Sequence, residues 1–208
     1  LAVTGNATVG GTLGVTGAAT VDGNINLPTA NTFLLGAGHN VIQVDSTRTY
    51  LYGGTNGVQF RSADNSTVLG AIDNLGQMTL PLQPAFMARP ASDQNNIASG
   101  TTIACVEVFD QNADFASSTF NAPVAGRYQL NATVRIDNID TAATYTRVIL
   151  KTSNRNYDSI FDVDGAASDP TYWTFVVSVL ADMDAGDTSS LEFSQNGGTA
   201  QADINANT

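Results

Sequence analysis

The sequence predicts an all-β protein in two parts: a thin repetitive trimeric β shaft followed by an antiparallel jelly-roll β-sandwich. Three observations carry that expectation. A 12-residue repeat opens the chain, glycine and other turn residues punctuate the sequence to about residue 80, and beyond a group of prolines the aromatic residues gather. No stretch repeats apolar residues at three and four, and no capping box leads one, so helices are not expected.

The repeat comes first along the chain. Val3-Thr4-Gly5-Asn6-Ala7-Thr8-Val9-Gly10-Gly11-Thr12-Leu13 aligns with Val15-Thr16-Gly17-Ala18-Ala19-Thr20-Val21-Asp22-Gly23-Asn24-Ile25. Each unit reads as a short strand, a glycine turn, a second strand and another turn, with the two-residue alternation of a half-buried strand. One unit has too few apolar side chains to form a core, and isolated hairpins are marginal in water. The repeat gains stability when ribbons from several chains wind about one axis and pool Val3, Val9, Leu13, Val15, Val21 and Ile25 as a shaft core. A small apolar stripe closes naturally on a three-fold axis, so a homotrimer is expected. A flexible Gly/Thr linker is the alternative, and the strict spacing of Val and Leu opposes it. Residues 1–27 are assigned to this period-12 shaft.

Residues 28–83 form an irregular shaft or neck in the same style. Short strands are expected at 31–36, 38–44, 49–52, 57–61 and 68–72, separated by Gly53-Gly54, Asn56-Gly57, Asp64-Asn65 and Asn74-Leu75-Gly76. Pro81, Pro84 and Pro90 then bracket a change of character, placing the boundary near Leu82–Pro84. Aromatic residues bury large areas, so the true globular core is expected in residues 84–208. Strands are expected at 85–89, 101–108, 127–137, 145–152, 172–180, 189–194 and 200–204. That number of strands in one domain fits a two-sheet sandwich of jelly-roll type.

Composition excludes several function classes. The 208 residues carry a net charge of -11, with Lys151 the one lysine and the arginines scattered from Arg48 to Arg155. A phosphate backbone or an anionic lipid surface requires clustered basic residues, so neither nucleic acid nor such a surface is expected as partner. No apolar run approaches the length of a membrane helix, so no membrane insertion is expected. The lone Cys105 cannot make an intrachain disulfide. Leu1 enters in mid-pattern without a methionine or a targeting signal, which reads as a fragment of a longer chain.

Catalysis is not expected, and neither is a cofactor. His39 is the one histidine, sits beside Gly38 and Asn40, and reads as a turn residue. Cys105 alternates with its neighbours as a buried structural thiol does. A nucleophile–histidine pair is hard to assemble from these residues. For metal, Asp162 and Asp164 with Asp169, and Asp182 and Asp184 with Asp187, offer the hard oxygen ligands calcium favours. Asp162-Val163-Asp164-Gly165 is only a fragment of a calcium loop, lacking the later bidentate Glu, and solvated turns are the plainer reading. Tyr145, Asn154, Arg155, Tyr157 and Tyr172 are candidates for recognition, since aromatic faces beside hydrogen-bonding side chains suit sugar or protein ligands. Packing of the tyrosines in the sandwich is the alternative.

Two resemblances add to this reading. The head, over about residues 84–208, resembles the complement component one-q globular domain within the tumour-necrosis-factor-like superfamily. The residues that carry it are Phe86, Ala88 and Phe109, the run Thr119-Phe120-Asn121-Ala122-Pro123-Val124-Ala125-Gly126-Arg127-Tyr128, and Leu180 to Ser194. The resemblance implies Phe86, Phe109, Phe120, Gly126 and Tyr128 as head-core positions. It also implies a trimeric head and a last strand carrying Phe-x-Gly and an aliphatic pair, which this sequence does not reach. The shaft repeat, with Gly57-Val58-Gln59-Phe60-Arg61-Ser62 and Leu69-Gly70-Ala71-Ile72-Asp73-Asn74, resembles trimeric phage tail-fibre segments. Together they imply a virion tail-fibre or receptor-binding protein, joined to other tail or capsid proteins. Its head would face the host cell and bind a surface glycan or protein. The alternatives are a structural head or decoration fibre of the virion, and a bacterial surface adhesin.

Overall fold

The computed structural model describes Gly10, residues 14–16, 34–36 and 39–44, and residues 47–206. Among them there is no helix. The shaft-core positions Val3, Val9, Leu13, Val21 and Ile25 lie outside the described residues, and Val15 is exposed. The chain divides into two compact units, residues 1–60 with 71–78 and residues 61–70 with 79–208.

Short strands recur through the described residues between 34 and 79. β1 (Leu34–Gly36), β2 (His39–Val44) and β3 (Thr49–Leu51) form an antiparallel meander, so His39 opens a strand rather than standing in a turn. β4 (Val58–Arg61), β5 (Val68–Ile72) and β6 (Met78–Thr79) form a second three-stranded sheet in that order. Gly54 and Gly57 exchange backbone hydrogen bonds of 3.1 and 2.9 Å. Only glycine fits at 57: its φ is +92°, and a Cβ there would stand 2.0 Å from the Ile72 carbonyl oxygen.

Residues beyond Pro84 form the sandwich, an antiparallel jelly roll. Its strands are β7 (Phe86–Pro90), β8 (Thr101–Thr102), β9 (Cys105–Asp110), β10 (Phe115–Ala116) and β11 (Thr119–Asn121). The longer strands follow: β12 (Gly126–Asp137), β13 (Ala143–Thr152), β14 (Asn156–Asp162), β15 (Tyr172–Met183) and β16 (Thr188–Gly197). One sheet has the order β10-β11-β16-β13-β14, with β8 also on β16. Facing it are two separate pairs, β7 with β9 and β12 with β15. β12 and β15 pair without a break from Gly126–Met183 to Asp137–Tyr172.

Strand alternation explains which residues are inside. Leu130, Val134 and Ile136 of β12 and Phe175, Val177, Ala181 and Met183 of β15 are buried. Opposite them Val148 and Phe193, directly paired across β13 and β16, are fully buried. Toward the β10–β11 end, Phe86 stacks on Phe115 and Phe120 at 4.9 and 5.0 Å. Tyr128 tilts against Phe120 at 5.4 Å, and its hydroxyl donates to the Val124 carbonyl at 2.7 Å. The run from Thr119 to Tyr128 is thereby tied to its own strand entry.

Four expectations need correction. Residues 101–108 are not one strand: β8 pairs β16 in one sheet and β9 pairs β7 opposite. The Ile103 N–H bonds the Leu191 carbonyl at 2.9 Å, and Gln94 holds the Ala104 backbone with both ends of its amide as the chain crosses. Phe109 is not a core residue. It is 52% exposed, because it pairs with Met87 on the outward face while Phe86 and Ala88 pack inward. β14 is a full strand that the sequence reading did not single out, its Ser and Asp residues obscuring a faint alternation. Residues 200–204 make only isolated bridges, Asp203 to Asp137 and Ile204 to Gln94.

Candidate binding surface

One end of the sandwich gathers the connections 138–142, 163–171 and 198–205 into a polar network. Ile139, Val163, Ala202 and Ile204 of these segments turn into the core, and polar side chains satisfy the backbone around them. The Asp140 carboxylate accepts from the Ala142 N–H at 2.7 Å and from the backbone and hydroxyl of Thr199. Those bonds, the Thr199 backbone first, hold Asp140 below the usual carboxylate range. Asp169 accepts from the Thr141 hydroxyl at 2.6 Å, the Thr141 N–H at 2.9 Å and the Gln201 amide at 2.9 Å. Its pKa falls from 3.8 to about 2, the Thr141 hydroxyl being the largest cause. Asp203 accepts from the Asn96 N–H and the Asn138 amide, each at 2.7 Å. Gly198 sits inside this knot with φ +70°, where a Cβ would stand 2.7 Å from Asp140.

Aromatic and cationic side chains rim the same end. Arg135 forms a two-pronged pair with Asp137 at 2.8 and 2.9 Å, which holds Asp137 low. The Arg135 guanidinium also lies 6.0 Å from the ring of Tyr172, which is 67% exposed. Next to it, Trp173 stacks face to face on Phe161 at 4.1 Å and 5°, joining the edge strands β15 and β14. Arg147 lies 5.5 Å from the Tyr145 ring and pairs with Asp158 at 3.0 Å. Flat aromatic faces beside fixed donors and acceptors can take a sugar ring or a polar peptide segment.

The sequence-predicted residues do not all meet here. Tyr145 and Tyr172 belong to this end, on the outer faces of different sheets. Asn154 and Arg155 belong to the opposite end, in the turn between β13 and β14, about 23 Å away along β13 at the rise of a strand. There the Asn154 amide donates to Asp187 at 2.6 Å and to the Asp182 carbonyl at 3.3 Å. Tyr157 is half-buried and packs on the core. Sequence reasoning missed Arg135, Asp137, Asp140, Phe161, Trp173 and Thr199 as members of the surface. The adjacent Tyr172-Trp173 was the one local signal.

The two acidic groups proposed for calcium also stand at opposite ends. Asp162 accepts from the Asp164 N–H at 3.2 Å, and Asp187 accepts from the Asp184 N–H at 2.8 Å, each capping its own turn. Among the described residues, no three His, Cys, Asp or Glu side chains come together to hold a metal ion. Burial pushes the Cys105 thiol up from its ordinary pKa, which disfavours the thiolate. No helix among the described residues is long and apolar enough to cross a membrane.

No family model matches the chain, and no curated protein matches it. Among solved structures it is similar to the globular domain of zebrafish complement 1qA protein, at 14% identity and a TM-score of 0.41, covering 59% of this chain and 93% of that one. It is also similar to murine APRIL in crystals at pH 8.5 and pH 8.0. Both show 9% identity and a TM-score of 0.41 over 58% of this chain, with 94% and 95% of those chains covered.

Proposed function

We propose that the chain is a homotrimeric fibre protein of a virion, a tail-fibre or receptor-binding protein. Its C-terminal sandwich binds a glycan or protein on the host-cell surface. The observation that carries the reading is the outward face of the β7–β9 and β12–β15 pairs. Met87 and Phe109 stand there side by side, and Val176 and Leu180, 59% and 61% exposed, alternate with the buried residues of β15. These apolar side chains, with the hydrogen-bonded Gln129, Asn131 and Ser178 among them, suit burial against further copies of the chain. The period-12 repeat asks for the same association on independent grounds. Three copies would display three Tyr172–Trp173 rims, so weak individual binding would become strong adhesion.

The test is direct. The purified 208-residue protein should sediment as a trimer and bind host cells, and Tyr172→Ala should weaken cell binding at least tenfold while leaving the trimer intact. A folded trimer that binds no cells would refute the adhesion reading and leave a structural fibre of the virion. A monomer at micromolar concentration would refute both.

A further inference from the structure

The chain enters the sandwich through residues 80–85, a segment whose large apolar side chains stay in solvent. Leu80 and Leu82 are 48% and 53% exposed, so burial of their side chains does not fasten it. Pro81 and Pro84 have no N–H to donate, which keeps the segment from extending the β7 ladder. One backbone bond, from the Gln83 N–H to the Leu80 carbonyl at 3.0 Å, closes it into a turn.

A single side chain ties this turn to the sandwich. The amide nitrogen of Gln111 donates to the carbonyls of Leu80, Pro81 and Gln83 at 3.1, 2.9 and 3.0 Å. Two N–H groups serve three acceptors, so the amide is saturated and one N–H is shared. Gln111 is aimed there by its own backbone. β9 ends at Asp110, which pairs with Phe86, and the next N–H, that of Gln111, bonds the Ala85 carbonyl at 3.0 Å. The Asp110 carboxylate then accepts from the Phe115 N–H at 2.7 Å, fixing the turn from which the Gln111 side chain leaves. All of these residues belong to one compact unit. Gln111 is itself exposed, so water competes for each of its bonds. Exposed hydrogen bonds with few buried apolar contacts mark the segments that open first.

We propose that residues 80–84 are a strap latched by the Gln111 amide, which opens by local fluctuation while the sandwich stays folded. Gln111 acts as a positioning residue. Engaged, it fixes where the chain enters β7; released, it frees five residues. At roughly 3.3 Å per extended residue, the freed strap adds about 16 Å of reach to the tether of the sandwich. The core begins at Phe86, beyond the strap, so opening uncovers no core side chain. The latch depends neither on the oligomer nor on a ligand.

Chymotrypsin reads the latch. It cuts after leucine, the Leu82–Gln83 bond lies in the strap, and the Leu80–Pro81 bond resists it because proline follows. Cleavage of an ordered turn requires that the turn first open. In the 208-residue protein, Gln111→Ala should speed cleavage at Leu82–Gln83 at least tenfold, followed by mass spectrometry. Gln111→Glu sets a carboxylate against three carbonyls and should speed it at least as much. Amide exchange across the β13–β16 ladder and the thermal midpoint should match the parent in both variants. Equal cleavage of parent and variants would overturn the proposal, as would protection retained by Gln111→Glu. So would exchange in β13–β16 that rises in step with cleavage, since the strap would then open only with the sandwich.

Discussion

Asp169 shows how single side chains set the order of the aromatic-rimmed end. Its two oxygens take three hydrogen bonds from Thr141 and Gln201, residues far from it in sequence. These bonds favour the charged form, so the folded pKa, about 2, lies below the ordinary 3.8. A carboxylate depressed on folding stabilises the fold fully above its ordinary pKa and loses that contribution as pH falls through the folded value. Asp169→Asn should therefore lower the thermal midpoint near neutral pH, and the difference from the parent should shrink from about 3.8 downward and vanish below about 2. Thermal unfolding of the two proteins across that range is the measurement.

At the scale of elements, the pairing of β13 with β16 holds the sandwich together. Phe193 is fully exposed to its neighbours and closed to solvent, at 0% accessibility, opposite Val148. Phe193→Ala removes a large buried ring and leaves a cavity, and should cost ~3–5 kcal/mol in denaturant unfolding. Long strands of this kind were legible in the sequence. The alternation at 127–137 marks β12 to within one residue, and 145–152 and 172–180 fall inside β13 and β15. Crossings between sheets were not legible. An alternating run reads as one strand whether or not its halves pair with different sheets, which is why 101–108 misleads. The surface at the loop end was largely hidden for a related reason. Thr141, Asp169, Thr199 and Gln201 have no common local pattern, and only the meeting of three connections puts them in one network.

At the scale of the whole molecule, the proposed trimer needs an association face that sequence alone could not locate. The 12-residue repeat argues that several chains combine but says nothing of where the heads touch. Val176 and Leu180 alternate with buried Phe175, Val177 and Ala181, so their positions follow from the strand's own two-residue period once the inward face is known. Replacing both Val176 and Leu180 with Asp leaves the inward face intact and places charge on the outward one. Under the trimer reading, sedimentation should shift the species from trimer toward monomer while the far-ultraviolet circular dichroism of the sandwich stays unchanged. A trimer that survives both substitutions would remove this face from the interface.

The stack of Trp173 on Phe161 has a practical consequence as well as a structural one. Trp173 is the one tryptophan in the chain, it is partly exposed, and its indole lies flat on the edge strand of the facing sheet. The protein therefore has a single tryptophan fluorophore, selectively excited at the red edge of the absorption band, at the seam between its two layers. Its emission would move to the red when the seam parts and respond when a molecule settles on the rim, so separation of the sheets and occupancy of the surface become optical readings on an unlabelled chain.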